Sequence, residues 1–457
     1  MQRRTFLKSL AALSLPAAGI APRRARAALT PDPERLLDLA PGFDYTIVSR
    51  AGTAMSDGFV VPPAHDGMAA FPGRDGRIVL VCNHELPATR SELSAFGTDY
   101  AKLPMDVRER LYDGGGGTTP GAGGTTTTVY NPATGRTESQ HLSLGGTEVN
   151  CAGGPTPWGS WLTCEECFEN PGTTRSRGRL VTRERRHGYV FEVPADAETL
   201  VKAVPLKAMG RFEHEAAAVH EPTGIVYMTE DRHHSLFYRF LPDVPGELNA
   251  GGRLQALAVR DRPTLATHNW AAPLVAPGQA LDVEWVDLDN VDPDENNLRL
   301  RGAARGAATF ARGEGLCAAG ERFAFTCTIG GPARLGQVFS YAPSAFEGSA
   351  EETDAPGTLT LLAEADDESL LQNADNLTFA PWGDLIICED TKSQCSLVGL
   401  RPDGSSYLIA DNAYSDSELA GVCFAPDGKT LFLNIQYPGT TVAITGPWHR
   451  YADASGA

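Results

Sequence analysis

The chain has 457 residues, with 57 acidic and 39 basic side chains and a formal net charge of −18. Such an acidic surface repels nucleic acid and anionic lipid, which argues against nucleic-acid binding and against a stable membrane anchor. It suits a protein that binds cations, although acidity that serves only solubility produces the same balance of charge.

The chain begins with a predicted export signal. Arg3 and Arg4 are followed by Phe-Leu-Lys and an apolar run, 9–21, that is too short to span a bilayer, and an Ala-x-Ala sequence ends at Ala27. The pattern is typical of a twin-arginine signal, and an ordinary secretory signal is the alternative. We therefore expect 1–27 to be removed, the twin-arginine export machinery to be a partner, and 28–457 to form a single monomeric domain in the periplasm or outside the cell.

One unit recurs six times: an apolar strand, a turn with proline or glycine, and a second strand, with polar and mostly acidic residues at the outer ends. The units are 66–85, 148–165, 215–230, 314–328, 375–390 and 418–436. Such turns between β-branched and aromatic runs indicate hairpins. The repeat predicts an all-β protein, a β-propeller of about six blades. A β-sandwich is the alternative, but it does not explain why the acids recur at one place in each unit.

Loops and short helices are predicted between the blades. The patterns indicate one short helix within 104–112 and another within 34–39. The tract 114–128, rich in glycine and threonine, predicts a flexible loop. It lacks the Gly-Lys-Ser/Thr ending of a phosphate-binding loop, so it does not indicate nucleotide binding.

The acids at the hairpin ends are expected to converge. The start of the first strand and the end of the second lie at the same edge of an antiparallel hairpin. The pairs expected to be neighbours are therefore Asp66 with Glu85, Glu148 with Glu165, Glu215 with Glu230, and Asp375 with Glu389. Radial packing of the blades gathers these pairs around one mouth of the central channel. Unit charges ~4 Å apart repel by several kcal/mol near a protein surface, so cations must offset them. Many oxygen ligands favour Ca²⁺, and a thiolate among them indicates a transition metal.

Nine cysteines, an odd number, leave at least one outside any internal disulfide. Most lie in apolar runs, as buried structural thiols do. Cys164 is the candidate thiolate, because the sequence Thr163-Cys164-Glu165-Glu166 places it at a predicted strand end. A buried free thiol is the alternative, and structural zinc at Cys164 and Cys167 lacks a second cysteine pair.

Two further motifs carry candidate site residues. Glu213 and Glu215 share one face of a predicted strand because side chains alternate, and a solvated surface acid is the alternative for Glu213. Arg312 lies on the same side as Glu314, and its planar guanidinium suits a phosphate clamp. A salt bridge that holds a ligand carboxylate is the alternative for Arg312.

At these residues the chain resembles the PhoX-type alkaline phosphatases, secreted enzymes of the twin-arginine pathway. The resemblance covers about 50–440, and the run 150–166 is its most specific part. The motifs that carry it are Asp66-Gly67-Met68, Asn83-His84-Glu85, 150–166, Glu213-His214-Glu215, Arg312-Gly313-Glu314-Gly315, Asp375-Asn376-Leu377 and 424–432. The chain is shorter than is usual in the family and has Gly313 where proline is common.

The resemblance implies a six-bladed propeller that hydrolyses phosphate monoesters at a mixed cluster of Fe³⁺ and Ca²⁺. It implies that the cysteine of the Thr-Cys-Glu-Glu motif ligates iron, that acids of the other motifs hold calcium, and that Arg312 contacts the substrate phosphate. The metal ligands assigned in this way are Cys164, Asp66, Glu85, Glu165, Glu213, Glu215, Glu314, Asp375 and Glu389. A non-catalytic calcium-binding propeller and a calcium-dependent propeller lactonase or esterase are the alternatives.

Overall fold

Six antiparallel hairpins occupy the positions that the repeated unit predicts. The computed structural model describes residues 29–97, 100, 103–176 and 178–455, so the predicted leader 1–27 lies outside the described residues. Within them, no helix is long and apolar enough to cross a membrane.

The N-terminal half contains two leading strands and the first three sheets. The leading strands are β1 (Leu37–Leu39) and β2 (Asp44–Arg50). The first sheet consists of β3 (His65–Pro72), β4 (Ile78–His84), β5 (Gly123–Asn131) and β6 (Arg136–Thr147). The second sheet and its inserted hairpin consist of β7 (Asn150–Pro155), β8 (Ser160–Glu165), the hairpin β9 (Gly172–Ser176) and β10 (Arg179–Arg183), and then β11 (Val190–Pro194). The third region consists of β12 (His214–His220), β13 (Ile225–Glu230), β14 (His233–Ser235), β15 (Tyr238–Pro242) and β16 (Gly252–Val259).

The C-terminal half contains the other three sheets. Two connecting strands come first, β17 (Ala280–Asp287) and β18 (Phe310–Ala311). The fourth sheet consists of β19 (Gly313–Ala319), β20 (Arg322–Cys327), β21 (Gln337–Ala342) and β22 (Thr358–Glu364). The fifth sheet consists of β23 (Ala374–Phe379), β24 (Leu385–Glu389), β25 (Ser396–Leu400) and β26 (Ser406–Asn412). The sixth consists of β27 (Leu419–Phe424), β28 (Thr430–Ile435) and β29 (Thr440–Thr445). The α-helices are α1 (Met105–Arg108), α2 (Leu298–Ala304) and α3 (His449–Ser455).

The first strands of the six hairpins form a closed ring. In the order β3, β7, β12, β19, β23 and β27, each contacts the next, and β27 contacts β3. The N-terminal strand β2 pairs with β29 and so completes the last sheet, while β1 extends the fifth sheet through β26. β17 pairs with both β16 and β22 and joins the third sheet to the fourth. The predicted propeller is confirmed.

An apolar cluster fills each of the six spaces between neighbouring sheets. Trp161 and Phe191, for example, pack against Ala69 and Val81 of the first sheet. Glycine allows close approach of the first strands, because a Cβ on Gly154 would lie 1.8 Å from the carbonyl oxygen of Ala217. Burial of each large apolar side chain stabilises the fold by about 1.5–3 kcal/mol, so these contacts hold the ring together.

Two of the local predictions are wrong. The segment 34–39 forms a turn and strand β1, because the Asp32 carboxylate accepts the N–H groups of Leu36 and Leu37 at 2.7 and 3.1 Å. The tract 114–128 becomes strand β5 from Gly123 onward, because its buried β-branched threonines pair with β4. The short helix predicted within 104–112 is confirmed as α1.

All nine cysteines lie in the described part of the chain and none forms a disulfide. Seven are buried, and Cys317 and Cys423 are half-buried.

Candidate metal centre

A β-bulge lies near the start of every first strand. In five hairpins, one residue near the start of the first strand pairs with the last residue of the second strand, and the register shifts directly after this pair. In the sixth hairpin the register shifts after Ala420. A bulge bends the strand and changes the direction of the side chain it carries. The first bulge residues of the five hairpins are Asp66, Cys151, Glu215, Glu314 and Asp375. Four acids and one thiol therefore occupy equivalent positions around the ring.

The residue that directly follows each second strand forms another ring of polar groups. These residues are Glu85, Glu166, Asp231, Thr328, Asp390 and Gln436. Gln436 shows how the two rings meet, because its Nε2 donates hydrogen bonds to Asp66 Oδ2 at 3.0 Å and to Glu85 Oε2 at 2.7 Å. The second ring thus lies beside the bulge residues.

Side chains of the two rings, together with Glu418 directly before β27, form three compact groups. Within each group, one potential ligand atom from each residue lies within 4.8 Å of the others. The groups are Cys151 with Glu166 and Glu215, Asp66 with Glu85 and Glu418, and Glu215 with Glu314 and Asp375. Glu215 belongs to two of them, and the group of Asp66 lies next to these, because the charge of Asp66 raises the pKa of Asp375. The three groups together form one cluster at one mouth of the channel.

Five members of the cluster are buried and Glu85, Glu166 and Glu418 are half-buried, and the acids raise one another's pKa values. Burial is the largest cause, and it raises the pKa of Asp66 to about 7 and that of Asp375 to about 8. Burial and neighbouring carboxylates also raise the pKa values of the cluster glutamates well above their ordinary range, namely Glu85, Glu166, Glu215, Glu314 and Glu418. The pKa of the Cys151 thiol is likewise raised well above its ordinary value, first by burial and then by Glu215. These groups can all be ionised only if cations lie among them, so the residues fit a metal cluster with oxygen ligands and one thiolate.

Arg312 lies at the edge of the cluster, between β18 and β19. Its Nε and Nη2 donate to the Asp231 carboxylate at 2.7 and 2.6 Å, and Nη2 lies 3.0 Å from Glu314 Oε1. These contacts raise the pKa of Arg312, first through the hydrogen bonds to Asp231. Within the described part of the chain, Nη1 has no protein acceptor. The contacts therefore agree with a salt bridge to a cluster acid and leave one N–H edge for an anion.

Five of the nine metal ligands predicted from the sequence lie in the cluster: Asp66, Glu85, Glu215, Glu314 and Asp375. Cys164 does not, because it points into the apolar cluster between the second and third sheets. Glu213 is half-buried at the edge, where its Oε2 lies 2.6 Å from Arg232 Nε. Glu389 accepts the backbone N–H groups of Gln372 and Ser396 at 2.7 and 3.1 Å.

Glu165 also lies outside the cluster. Its carboxylate accepts the N–H groups of Glu148, Gly188 and Tyr189, and its Oε1 lies 2.7 Å from His187 Nδ1. Glu165 is the last residue of β8 and Glu166 follows it, so the two side chains point in opposite directions. The same offset separates Glu389 from Asp390.

The sequence interpretation did not include the cluster residues Cys151, Glu166 and Glu418, nor Asp231 and Asp390 next to them. One signal for Cys151 is present in the sequence. When the units are aligned on their first strands, Cys151 occupies the position of Asp66 and Glu215, each followed by two residues that are mostly small. The unit 148–165 begins instead at Glu148, but the Glu148 carboxylate accepts a hydrogen bond from Arg183 Nε at 2.6 Å and lies outside the cluster.

The family model described as Alkaline phosphatase PhoX matches residues 25–439. The chain belongs to the PhoX alkaline phosphatase family. It is a metal-dependent phosphatase. The resemblance to this family that its motifs indicated is confirmed. No curated protein sequence matches the chain.

The chain is similar to several solved structures, of which the first named here shares its fold. Pseudomonas fluorescens PhoX in complex with vanadate, a transition state analogue, is 19% identical to this PhoX-family chain, with a TM-score of 0.64 over 94% of this chain and 98% of that one. A gluconolactonase from Xanthomonas campestris is 11% identical, with a TM-score of 0.40 over 93% of this chain and 99% of that one. A calcium-binding regucalcin from Agrobacterium tumefaciens is 10% identical, with a TM-score of 0.40 over 89% of this chain and 96% of that one.

Proposed function

We propose that this PhoX-family phosphatase is an exported alkaline phosphatase that hydrolyses phosphate monoesters at a metal cluster in the channel mouth. The observation that carries the proposal is the set of three neighbouring ligand groups, two of which share Glu215, with Arg312 at their edge. Buried acids at this density require cations, and a guanidinium beside bound cations suits a phosphoryl group.

The assignment of ligands changes from that made on the sequence. We assign the thiolate to Cys151 instead of Cys164, because Cys151 shares a group with Glu166 and Glu215. We assign Glu166 in place of Glu165 and add Glu418. Glu213 and Glu389 become structural residues, because each carboxylate has its own partners away from the cluster.

We further propose that the metals are Ca²⁺ and Fe³⁺. Oxygen ligands at high count suit calcium, which accepts irregular geometry, and the thiolate of Cys151 suits iron. When bound, the metal ions supply Lewis-acid polarisation of the phosphoryl group and lower the pKa of the attacking water.

The chain's own residues then orient and stabilise the phosphoryl group. Arg312 binds a phosphoryl oxygen through Nη1 and stabilises the charge of the transferring group. Asp231 holds the guanidinium plane through two hydrogen bonds, so that Arg312 does not have to reorganise during the reaction. Gln436 orients Asp66 and Glu85 in the same manner. No side chain is required as a covalent nucleophile.

The proposed location rests on the sequence alone. The paired arginines, the short apolar run and the Ala-x-Ala sequence within 1–27 support twin-arginine export to the periplasm or beyond. We propose that 28–457 acts there as a single monomeric domain. Replacement of Arg3 and Arg4 by lysine should block export, so that the precursor remains uncleaved inside the cell.

The experiment that tests the function combines metal analysis with phosphatase kinetics. Protein purified without added metal should contain calcium and iron, and should hydrolyse phosphate monoesters most rapidly at alkaline pH. Exhaustive chelation followed by gel filtration should abolish turnover, and calcium together with iron should restore it. Full activity after removal of both metals would overturn the proposal. Calcium without iron would instead favour the calcium-only propeller or the lactonase alternative.

A further inference from the structure

Four aromatic rings and two arginines form a patch next to Arg312. We call it the aromatic patch, and its members are Arg232, His233, His234, His268, Trp270 and Arg334. The His268 ring stacks on Trp270 with centroids 4.0 Å apart, and the His234 ring meets both at 5.2 Å. The guanidinium of Arg334 lies 4.5 Å from the Trp270 ring centroid. His233, His234 and Arg334 are exposed, so the patch presents planar groups to solvent.

The rings of the patch are held in place before any ligand binds. Trp270 Nε1 donates a hydrogen bond to the carbonyl of Ile329 at 2.7 Å, which fixes the indole. His234 has a φ of 56°, in the left-handed region, and its ring stands edge-on to Trp270 with the centroids 5.2 Å apart. A preformed surface of this kind binds a ligand with little loss of side-chain entropy.

Backbone hydrogen bonds connect the patch to Arg312 on two sides. The Arg312 N–H donates to the carbonyl of Arg232 at 3.1 Å, directly after the pairing of His233 with Ala311. On the other side, the Thr328 N–H donates to the carbonyl of Arg312 at 3.1 Å, and three residues later the Gly331 N–H donates to the carbonyl of His268 at 3.0 Å. A phosphate held by Arg312 therefore has the patch within reach of its ester group.

The chemistry of the patch favours an aromatic ligand over an anionic one. Arg232 is already paired with Glu213 at 2.6 Å, and Arg334 lies over the indole ring. Burial lowers the pKa of His268 to about 4, so that ring is neutral at neutral pH. The rings of His233 and His234 are exposed as well, and they can stack on a planar π system.

We propose that the aromatic patch binds the planar aromatic leaving group of the phosphate monoester, so that the site prefers nucleoside or aryl monophosphates to aliphatic ones. This inference rests on the proposed function, because it assigns a leaving-group subsite to that same metal centre.

AMP and ribose 5-phosphate provide a test, because both are 5-phosphate esters of ribose and only AMP carries a base. The variants are His234→Asn, which tolerates the left-handed backbone but removes the ring, and His233→Ala. The control is His449→Asn, an exposed histidine in α3. Each patch variant should lower the ratio of kcat/KM for AMP to that for ribose 5-phosphate by about fivefold to tenfold, mainly through the KM for AMP, since stacking contributes to the binding of the base. The control should leave the ratio unchanged.

Adenosine binding gives a readout that does not require turnover. In the wild-type protein, adenosine should shift the ring resonances of His233 and His234 and should leave that of His449 in place. If the wild type hydrolyses neither ester but adenosine shifts these resonances, the proposed function fails and the subsite stands. An unchanged ratio in both variants, equal losses on both esters, or no shift with adenosine would each overturn the inference.

Discussion

Cys151 and Glu215 occupy equivalent bulge positions on the neighbouring strands β7 and β12, and their ligand atoms lie within 4.8 Å of each other. Cys164 is only 13 residues further along the chain from Cys151 but lies in an apolar cluster, where burial raises its pKa beyond the ordinary range of a thiol. This contrast gives a matched pair of variants for the proposed metal cluster.

Cys151→Ser is expected to remove the soft ligand from the cluster. Bound iron, thiolate-to-iron absorption and phosphatase turnover should fall together, while part of the calcium remains. Cys164→Ser is the control and should keep metals and colour, with a loss of stability of about 1–3 kcal/mol from the buried hydroxyl. Metal analysis, visible spectra and chemical denaturation measure these effects. Retained iron and rate in Cys151→Ser would show that Cys151 is only a packed thiol.

Arg312→Lys is expected to keep the metals but weaken phosphate binding. Lysine keeps the charge but lacks the fork that contacts Asp231 and an anion together, so kcat/KM should fall ~10²-fold. Arg305→Lys is a suitable control, because Arg305 lies in an exposed ion pair with Asp289 at 2.7 Å. A normal rate with Arg312→Lys would assign Arg312 a purely structural role as the partner of Asp231 and Glu314.

Glu165→Gln and Glu166→Gln should have opposite effects on the metal-free protein. Burial lowers the pKa of His187, but its acidic partners, with Glu165 the largest, outweigh this and raise it to about 10. Loss of the buried Glu165 charge should therefore cost about 3 kcal/mol in the free energy of unfolding. Glu166→Gln removes one member of a repelling group and should stabilise the metal-free fold while lowering metal content. Denaturant titration of the chelated proteins distinguishes them, and equal destabilisation by both variants would contradict this interpretation.

The chelated protein should lose stability as the pH rises from about 4 to 8. Carboxyl groups with an ordinary pKa near ~4 in the unfolded chain have values of about 7 at Asp66 and about 8 at Asp375 in the fold. The unfolded state therefore releases these protons first, and the stability present below about pH 4 is lost as the pH passes through the folded values.

Thermal melting of the chelated protein at about pH 5 and pH 8 measures this loss. The metal-loaded protein should show a smaller decrease in Tm, because cations offset the buried charge. Asp66→Asn should reduce the slope of the chelated protein, since it removes one of the titrating groups. A Tm that stays level or rises with pH after chelation would contradict the proposed electrostatics.

The sequence by itself determined the propeller, its six hairpin units and most of the first ring of acids. Hairpin patterns are local, since turn residues and β-branched runs lie next to one another, and the motif resemblance extended over most of the chain. Asp66, Glu215, Glu314 and Asp375 begin their units, so the geometry of a hairpin was sufficient to place them at one edge.

Only the tertiary structure decided which neighbouring side chain enters the channel. Side chains alternate along a strand, so a shift of one residue exchanges Glu165 for Glu166 and Glu389 for Asp390. Each bulge adds a residue to the first strand and interrupts that alternation at the site itself. Cys151 lies at such a bulge and joins the cluster, whereas Cys164 lies on the second strand among apolar side chains. The aromatic patch was likewise hidden in the sequence, because His234 and Trp270 are 36 residues apart and meet only through the packing of the loops around Arg312.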